Sequence, residues 1–352
     1  FGVYGGGYTL SLSRSFPIDA AALARPDLRP RPVRSINMSQ LGRVLCEPLD
    51  PPVAALFVYN ANPVAMAPDQ NRVLRGLQRD DLFTVVHEQV MTDTARFADV
   101  LLPATTVFEQ SELHKSYGHY FLQYSDAVIP PVGESRSNAE MFGALAARLG
   151  VGEPSLFEPE RLLDVALLPG RVEGVGSEQL RQRRAVAVRG GGQRAVIQMV
   201  TDLPLTPSGK IELDAAGFGP IEYRSLPPSG YPLALLSPAS ARLINSTFGE
   251  FNLPEPRLEM HPGDAEARGL RQGEVVRVYN DLGCVEVVLR LSSDIRPGCC
   301  SLPKGLWRHT TRNGSTATAL APDHLSDYGE GACFNDARVE VESARPSRPT
   351  TV

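Results

Sequence analysis

No run in this 352-residue sequence approaches the roughly 20 consecutive apolar residues that a membrane-spanning helix needs, so no direct membrane insertion is expected. Basic charge does not predominate either. The 35 Lys and Arg stand against 40 Asp and Glu, for a formal net charge of -5, and no basic face stands out, which argues against nucleic acid as a partner. Cysteine is scarce: Cys46, Cys284, Cys299, Cys300 and Cys333 make neither a CxxC spacing nor a secreted disulfide framework. GxSxG and GxxxxGK[ST] are missing, which removes the familiar hydrolase elbow and the P-loop. What remains, 42% hydrophobic and 21% charged residues, is a soluble globular composition long enough for two domains.

The chain opens FGVYGGGYTL, with no initiator Met and no signal peptide. This glycine-rich, aromatic opening followed by SRSFPIDAAAL reads as the middle of a fold, and a fragment is the expectation. Its glycines follow no strand and lack the GxGxxG order of a dinucleotide fingerprint.

Hydrophobic patterning makes the first part α/β. VAALFVY at 53–59 and DLFTVVH at 81–87 are short apolar runs rich in β-branched and aromatic residues, as buried strands are. Between them, Val73, Leu74 and Leu77 fall at helical spacing with Asp69 as N-cap, giving a parallel strand–helix–strand unit. ADVLLPA is a third run, and NAEMFGALAARLG at 138–150 is an amphipathic helix. Residues 156–230 read as a charged, Gly- and Pro-rich connector with a few elements of its own. From 231 the text turns β-like: two alternating strands meet at NDLG, a hairpin signal, and ARVEVE alternates again, which suggests a small barrel. The vicinal Cys299 and Cys300 fall in a strand and are expected to be reduced and buried. The expected divisions are 1–155, 156–230 and 231–344, with a disordered tail at 345–352.

Polar tips follow the strands: YNANP, HEQVMTDTARFAD and EQSELHKSYGH. In open α/β sheets ligands bind just beyond the carboxyl ends of the strands, yet polar tips are also ordinary solvated loops, so spacing leaves both readings open. His87, His114 and His119 lie near Glu88, Glu109 and Glu112, but none makes HExxH or another ligand spacing on one helix, and no protein-bound metal is expected there. His261 and His309 are isolated and read as surface or packing residues.

As a set these residues become recognisable. FVYNANPVAMAPD, then DLFTVVHEQVMTDTARFADVLLPATTVFE, then YGHYFLQ with PPVGESRSNAEMF, resemble the molybdopterin oxidoreductases of the dimethyl sulfoxide reductase family in order and spacing over about a hundred residues. LTPSGKIEL is similar to the segment ahead of that family's last domain. LLSPASARLINSTFGE and LEMHPGDAEARGLRQGEVVRVYND resemble the start of its molybdopterin-guanine-dinucleotide-binding barrel, and HLSDYGEGACFNDARVEV resembles the barrel's closing stretch.

The resemblance implies an incomplete Rossmann-like α/β domain followed by a six- or seven-stranded β-barrel of double-psi type. It implies the C-terminal half of a catalytic subunit, formate-dehydrogenase- or nitrate-reductase-like. Such a subunit uses molybdenum or tungsten on two molybdopterin guanine dinucleotides for two-electron or oxygen-atom transfer on a small-molecule substrate. The metal ligand and a [4Fe-4S] cluster are expected in a missing N-terminal half, because no Cys-rich cluster motif occurs here. An electron-transfer subunit is a further implied partner, and a scaffold subunit that keeps the pterin fold without the metal is the alternative. Cytoplasm is the expected compartment, with periplasm the alternative.

By position the resemblance puts Asn60 and Asn62 in the first nucleotide loop, His87 and Glu88 at the second strand's tip, and Thr92 and Asp93 in the next turn. Gln110 and Asn138 fall in two downstream loops, and Ser237, Asn245, Ser246 and Asn335 around the barrel. Thr318 stands where many relatives have Asn, and Glu330 where they often have Gly. All the implied contacts are donors or acceptors, as a buried guanine and pyrophosphate require.

Overall fold

The computed structural model describes residues 18–28, 31–115, 119, 121–152, 157–167, 176–187, 206–212, 229–240, 242–251 and 253–344. The glycine-rich opening and the tail at 345–352 lie outside them. In chain order the strands are β1 (Ala55–Tyr59), β2 (Phe83–Glu88), β3 (Val100–Pro103), β4 (Glu112–His114), β5 (Phe121–Ser125), β6 (Ala185–Ala187), β7 (Leu233–Leu236), β8 (Arg257–Met260), β9 (Val275–Asn280), β10 (Gly283–Leu291), β11 (Cys299–Ser301) and β12 (Arg338–Ser343). The helices are α1 (Ala20–Ala24), α2 (Leu41–Cys46), α3 (Pro63–Met66), α4 (Gln70–Leu77), α5 (Asn138–Leu149), α6 (Pro159–Ala166), α7 (Ser177–Arg183) and α8 (Pro262–Glu266). The chain forms two compact units, neither of them continuous in sequence: residues 1–33 with 103–221, and 34–102 with 222–352.

The second unit joins a small sheet to a barrel. β1 and β2 pair in parallel, Ala55 opposite Phe83 and Tyr59 opposite His87, with β3 on the far side of β2. Burial alternates along β2, so Thr84 and Val86 are enclosed while Phe83 is exposed, the period-2 signature of a half-covered strand. The α4 helix begins as its sequence dictates: the Asp69 carboxylate accepts from the Arg72 N–H and satisfies one of the first turn's orphan donors. It crosses α2 very closely. A Cβ on Gly76 would meet the Leu45 side chain at 2.4 Å, and one on Gly42 would meet the Val73 backbone at 2.9 Å. The pair buries Leu45, Val73 and Leu77 beneath the sheet.

Six strands close the barrel in the order β10-β8-β11-β7-β12-β9. Most neighbours are antiparallel, but β10 with β8 and β11 with β7 run parallel. The hairpin at Asn280–Gly283 forms where the turn residues stand. Val276, Val278, Val285, Val287, Leu289, Val339 and Val341 point inward at alternate positions and fill the interior with Leu233, Leu235, Leu258 and Met260. Fully burying each such side chain contributes roughly 1.5–3 kcal/mol. Cys300 lies inside this core, where burial pushes its thiol up to about 12, so it is an inert packing residue; all five cysteines are free.

The first unit contains the antiparallel β4-β5-β6 sheet and helices α1, α5, α6 and α7. Ser137 and Glu140 make a reciprocal capping box at the start of α5, and Gly150, at φ 64°, ends it in the left-handed conformation that glycine adopts without strain. Glu112–His114 is strand β4, so the segment after β3 is not the single polar loop that the sequence suggests.

Candidate functional site

The parallel register of β1 and β2 brings their carboxyl ends to one edge of the sheet, where the sequence expected a site. Asn60 follows β1 directly and sits at φ 51°, a left-handed conformation in which Asn is among the few tolerated residues. Asn62, 5% exposed, turns inward. Its Oδ1 accepts from the Thr94 hydroxyl at 2.7 Å and from the Thr94 N–H at 3.3 Å, and the Thr94 hydroxyl oxygen accepts in turn from the Val64 N–H. The loops after β1 and β2 are thereby tied together. Thr94 went unnoticed in the sequence, where only its place inside TDT marks it.

His87 is 1% exposed. Its Nδ1 lies 3.1 Å from the Leu102 carbonyl, which can only accept, so Nδ1 carries the proton and Nε2 is left as an acceptor. Burial also pushes the imidazole pKa down, which keeps the ring neutral. Beside it, the Glu88 carboxyl is pushed up, chiefly by burial, with repulsion from Glu250 adding to it and the Gln89 N–H opposing it. Thr92 and Asp93, both buried, brace the same corner. The Thr92 hydroxyl oxygen accepts from the Ala95 N–H, and Asp93 Oδ2 accepts from the Arg308 N–H at 2.7 Å.

That last bond leads into the loops around the barrel. Trp307 precedes Arg308, and its Nε1–H donates to the Ser246 carbonyl at 2.8 Å. Gly249 packs against the indole so closely that a Cβ there would fall 2.0 Å from it. Asn245, at φ 56°, directs its carbonyl at Gly305, where no side chain could fit. The Asn245–Ser246 loop is thus seated by a Trp–Gly contact that motif reading missed, although Trp307 is the sequence's single Trp. Ser237 directly follows β7, and its N–H donates to Asn335 Oδ1 at 2.9 Å. Thr318 is enclosed, its hydroxyl 2.9 Å from that of Thr316, whose N–H donates to Gln70 Oε1. Thr316 thus makes the contact with α4's first turn, and the Thr318 hydroxyl also donates to the Ala65 carbonyl of α3 at 3.5 Å. Glu330 has φ 49°, a conformation that glycine adopts freely, which gives a backbone reason for the glycine at this point in the resemblance.

Gln110 and Asn138 belong to the first unit. Gln110 Oε1 accepts from the Thr105 hydroxyl, and its Nε2 donates to Glu112; Asn138 is the first residue of α5. Of the other two histidines in that stretch, His114 meets Ser125 Oγ at 2.9 Å, and His119 Nδ1 accepts from the Phe121 N–H. His261 caps α8.

Whether these residues suit a buried polar ligand can be judged from the atoms left unmatched. Among the described residues, four buried side-chain polar atoms have no hydrogen-bond partner: Asn62 Nδ2, Thr84 Oγ1, His87 Nε2 and Ser237 Oγ. Thr84 lies at the leading end of β2, inside the core. The other three are two at the sheet's carboxyl edge and one at the end of β7. An unmatched buried polar atom costs about 1–3 kcal/mol, so a ligand presenting the complementary groups removes that cost on binding. Donor (Asn62), acceptor (His87) and dual donor–acceptor (Ser237) are the kinds of group that a guanine and a phosphorylated pterin tail would use.

Residues 44–148 match the family model described as molybdopterin oxidoreductase, and residues 240–338 match the molydopterin dinucleotide binding domain. The "Probable oxidoreductase YoaE" of Bacillus subtilis is 36% identical over 96% of this chain and 51% of its own length. Dimethyl sulfoxide reductase DmsA of Escherichia coli is 28% identical over 84% of this chain and 42% of its own. The chain spans about half the length of the curated relatives it matches. Among solved structures, acetylene hydratase from Pelobacter acetylenicus superposes with a TM-score of 0.70 at 21% identity, over 92% of this chain and 50% of that one, a likeness of fold. The chain belongs to the molybdopterin oxidoreductases of the dimethyl sulfoxide reductase family, and its barrel is a molybdopterin-dinucleotide-binding domain.

Proposed function

We propose that this chain binds the guanine dinucleotide tails of a bis-molybdopterin guanine dinucleotide cofactor and serves an oxidoreductase acting on a small substrate. When bound, that cofactor supplies a molybdenum or tungsten centre for two-electron or oxygen-atom transfer. The chain's own residues position it. The Asn62 amide would donate, neutral His87 would accept at Nε2, and Ser237 would match a phosphate or pterin group. The carrying observation is the set of unmatched buried atoms at Asn62, His87 and Ser237. Under this proposal the sheet is part of a Rossmann-like domain, with its parallel β1–β2 pair in support. The barrel is of double-psi type, with its two parallel neighbour pairs in support.

We assign the metal's protein ligand and any [4Fe-4S] cluster to protein outside these 352 residues, together with an electron-transfer partner, since the five cysteines form no cluster motif. The cytoplasm is the proposed compartment, with the five free cysteines in support.

The test is analysis of the native protein from cells supplied with molybdate or tungstate, for guanine-bearing pterin by mass and for metal by elemental assay. Guanine dinucleotide and a near-stoichiometric metal are expected. Ser237→Ala should lower occupancy while leaving the melting temperature of the cofactor-free protein unchanged or slightly higher, because the hydroxyl removed has no partner. Native protein without guanine dinucleotide would overturn the proposal. Pterin without metal would favour the scaffold alternative.

A further inference from the structure

The closing stretch before β12 contains a side-chain cluster that the cofactor proposal leaves unused. His324, Cys333 and Asp336 each offer one ligand atom, and these three atoms lie within 4.8 Å of one another. Among the described residues this is the one group of three or more His, Cys, Asp or Glu residues at metal-ligand spacing. His324 Nε2 is 2.7 Å from Asp336 Oδ2. A half-exposed His–Asp pair alone is an ordinary surface ion pair worth about 0–1 kcal/mol. The thiol at the third corner is what turns the pair into a ligand set.

The loop carrying the three residues is already closed on itself. Leu325 and Ala332 form an antiparallel bridge, and the Ser326 N–H donates to the Gly331 carbonyl at 3.0 Å. The Gly331 N–H donates back to Ser326 Oγ at 3.0 Å, and the Asp336 N–H donates to the Cys333 carbonyl at 3.0 Å. Both ends are anchored too. Asp323, next to His324, is gripped by Arg43 and Arg72, and the residue pair after Asp336 enters β12. First and last donors therefore meet without further ordering of the chain, which removes an entropic cost that opposes binding at unformed sites.

The donor chemistry selects the ion. One imidazole, one thiolate and one carboxylate are the N, S and O ligands of Zn²⁺, and tetrahedral bonds of about 2.0–2.3 Å separate ligand atoms by roughly 3.3–3.6 Å. Reaching that geometry takes about 0.6 Å of opening between His324 and Asp336 and at most about 1.3 Å of closing at Cys333. Zn²⁺ with one thiolate and one carboxylate leaves no net charge, and the exposed face of His324 leaves a path for entry and a fourth position for water. We propose that His324, Cys333 and Asp336 bind a zinc ion that ties the 324–336 loop closed, with water as fourth ligand. The proposal is independent of the cofactor proposal.

Cobalt(II) is the probe, because a cobalt–thiolate bond gives a near-ultraviolet charge-transfer band that a His–carboxylate site lacks. Titrating the purified, reduced protein with Co²⁺ alone should produce this band at one equivalent, and Zn²⁺ should displace it. Cys333→Ser should abolish the band, whereas Cys284→Ser, a change at the barrel hairpin, should keep it. His324→Gln and Asp336→Asn should weaken Zn²⁺ binding by more than the roughly 10–100-fold typical of losing an outer-shell partner. Far-ultraviolet circular dichroism checks that each variant is folded. Wild-type protein without a thiolate band, or a band that survives in Cys333→Ser, would overturn the proposal without relying on any variant's stability or on cofactor content.

Discussion

Glu88 is held in the fold at a cost. Its carboxyl is partly buried at the sheet edge and is repelled by Glu250, so its pKa lies above the ordinary Glu value of about 4.3. A carboxyl whose folded pKa is raised destabilises the fold when ionised. The cost is present at neutral pH and disappears as the pH falls through the folded pKa toward the unfolded one. Glu88→Gln, which keeps an oxygen for the Gln89 N–H, should therefore make the cofactor-free protein more stable at pH 7. The advantage over wild type should shrink with falling pH and vanish below about pH 4. Denaturant midpoints across that range check this, and a variant less stable at pH 7 would show that Glu88 has a stabilising partner. The family resemblance, read by position, made Glu88, Asn62, His87 and Ser237 visible as candidate contacts. Sequence could not show that the oxygens of Asp93 and Asn335 accept from the Arg308 and Ser237 N–H groups, because a side chain's chemistry is local whereas its partner lies up to 215 residues away.

Elements were legible wherever period and punctuation agreed. The β1, β2, α4 and α5 elements and the β9–β10 hairpin each combine an apolar repeat with a cap or turn residue, and each formed. Short β4 had no such repeat. The segment before it, read as a polar tip, contains an internal clasp at Glu109: Oε2 accepts from the Thr106 N–H and Oε1 from the Val132 N–H, each at 2.7 Å, with the Ser135 hydroxyl at 3.2 Å. These bonds, those from Thr106 first, hold the Glu109 pKa down to about 2. A depressed carboxylate pKa contributes stability above the unfolded value near 4.3 and loses it as the pH falls toward the folded value. Wild type should therefore lose stability between pH 5 and pH 2 more steeply than Glu109→Gln, read by thermal melts of the two proteins across the window. Parallel pH profiles would remove the clasp from the account.

At the scale of the molecule, sequence order conceals which parts stand together. Residues 34–102 share a compact unit with the barrel, although the first unit's chain lies between them in sequence. The joins are specific: Gln70 to Thr316, Asn71 to the Leu282 carbonyl, Asp69 to the Ala321 carbonyl, and Asp323 between Arg43 and Arg72. Asp323 has the greatest leverage, because it is mostly enclosed and meets two guanidinium groups, Arg43 in a two-pronged contact at 2.7 and 3.1 Å. Removing it takes the shared carboxylate from Arg43 and Arg72, although Arg72 keeps Asp69 at 3.3 Å; hydrogen bonds to charged groups contribute about 1.5–3 kcal/mol each in enclosed settings, less where Arg43 is solvated. Asp323→Ala should thus cost about 1–3 kcal/mol. If sheet and barrel unfold as one body, hydrogen exchange in increasing denaturant should show protection at 55–59, 83–88 and 275–291 lost together in wild type, and together at lower denaturant in the variant. Early loss confined to 55–59 and 83–88 would mean that the layers are joined only by contacts weaker than their own cores.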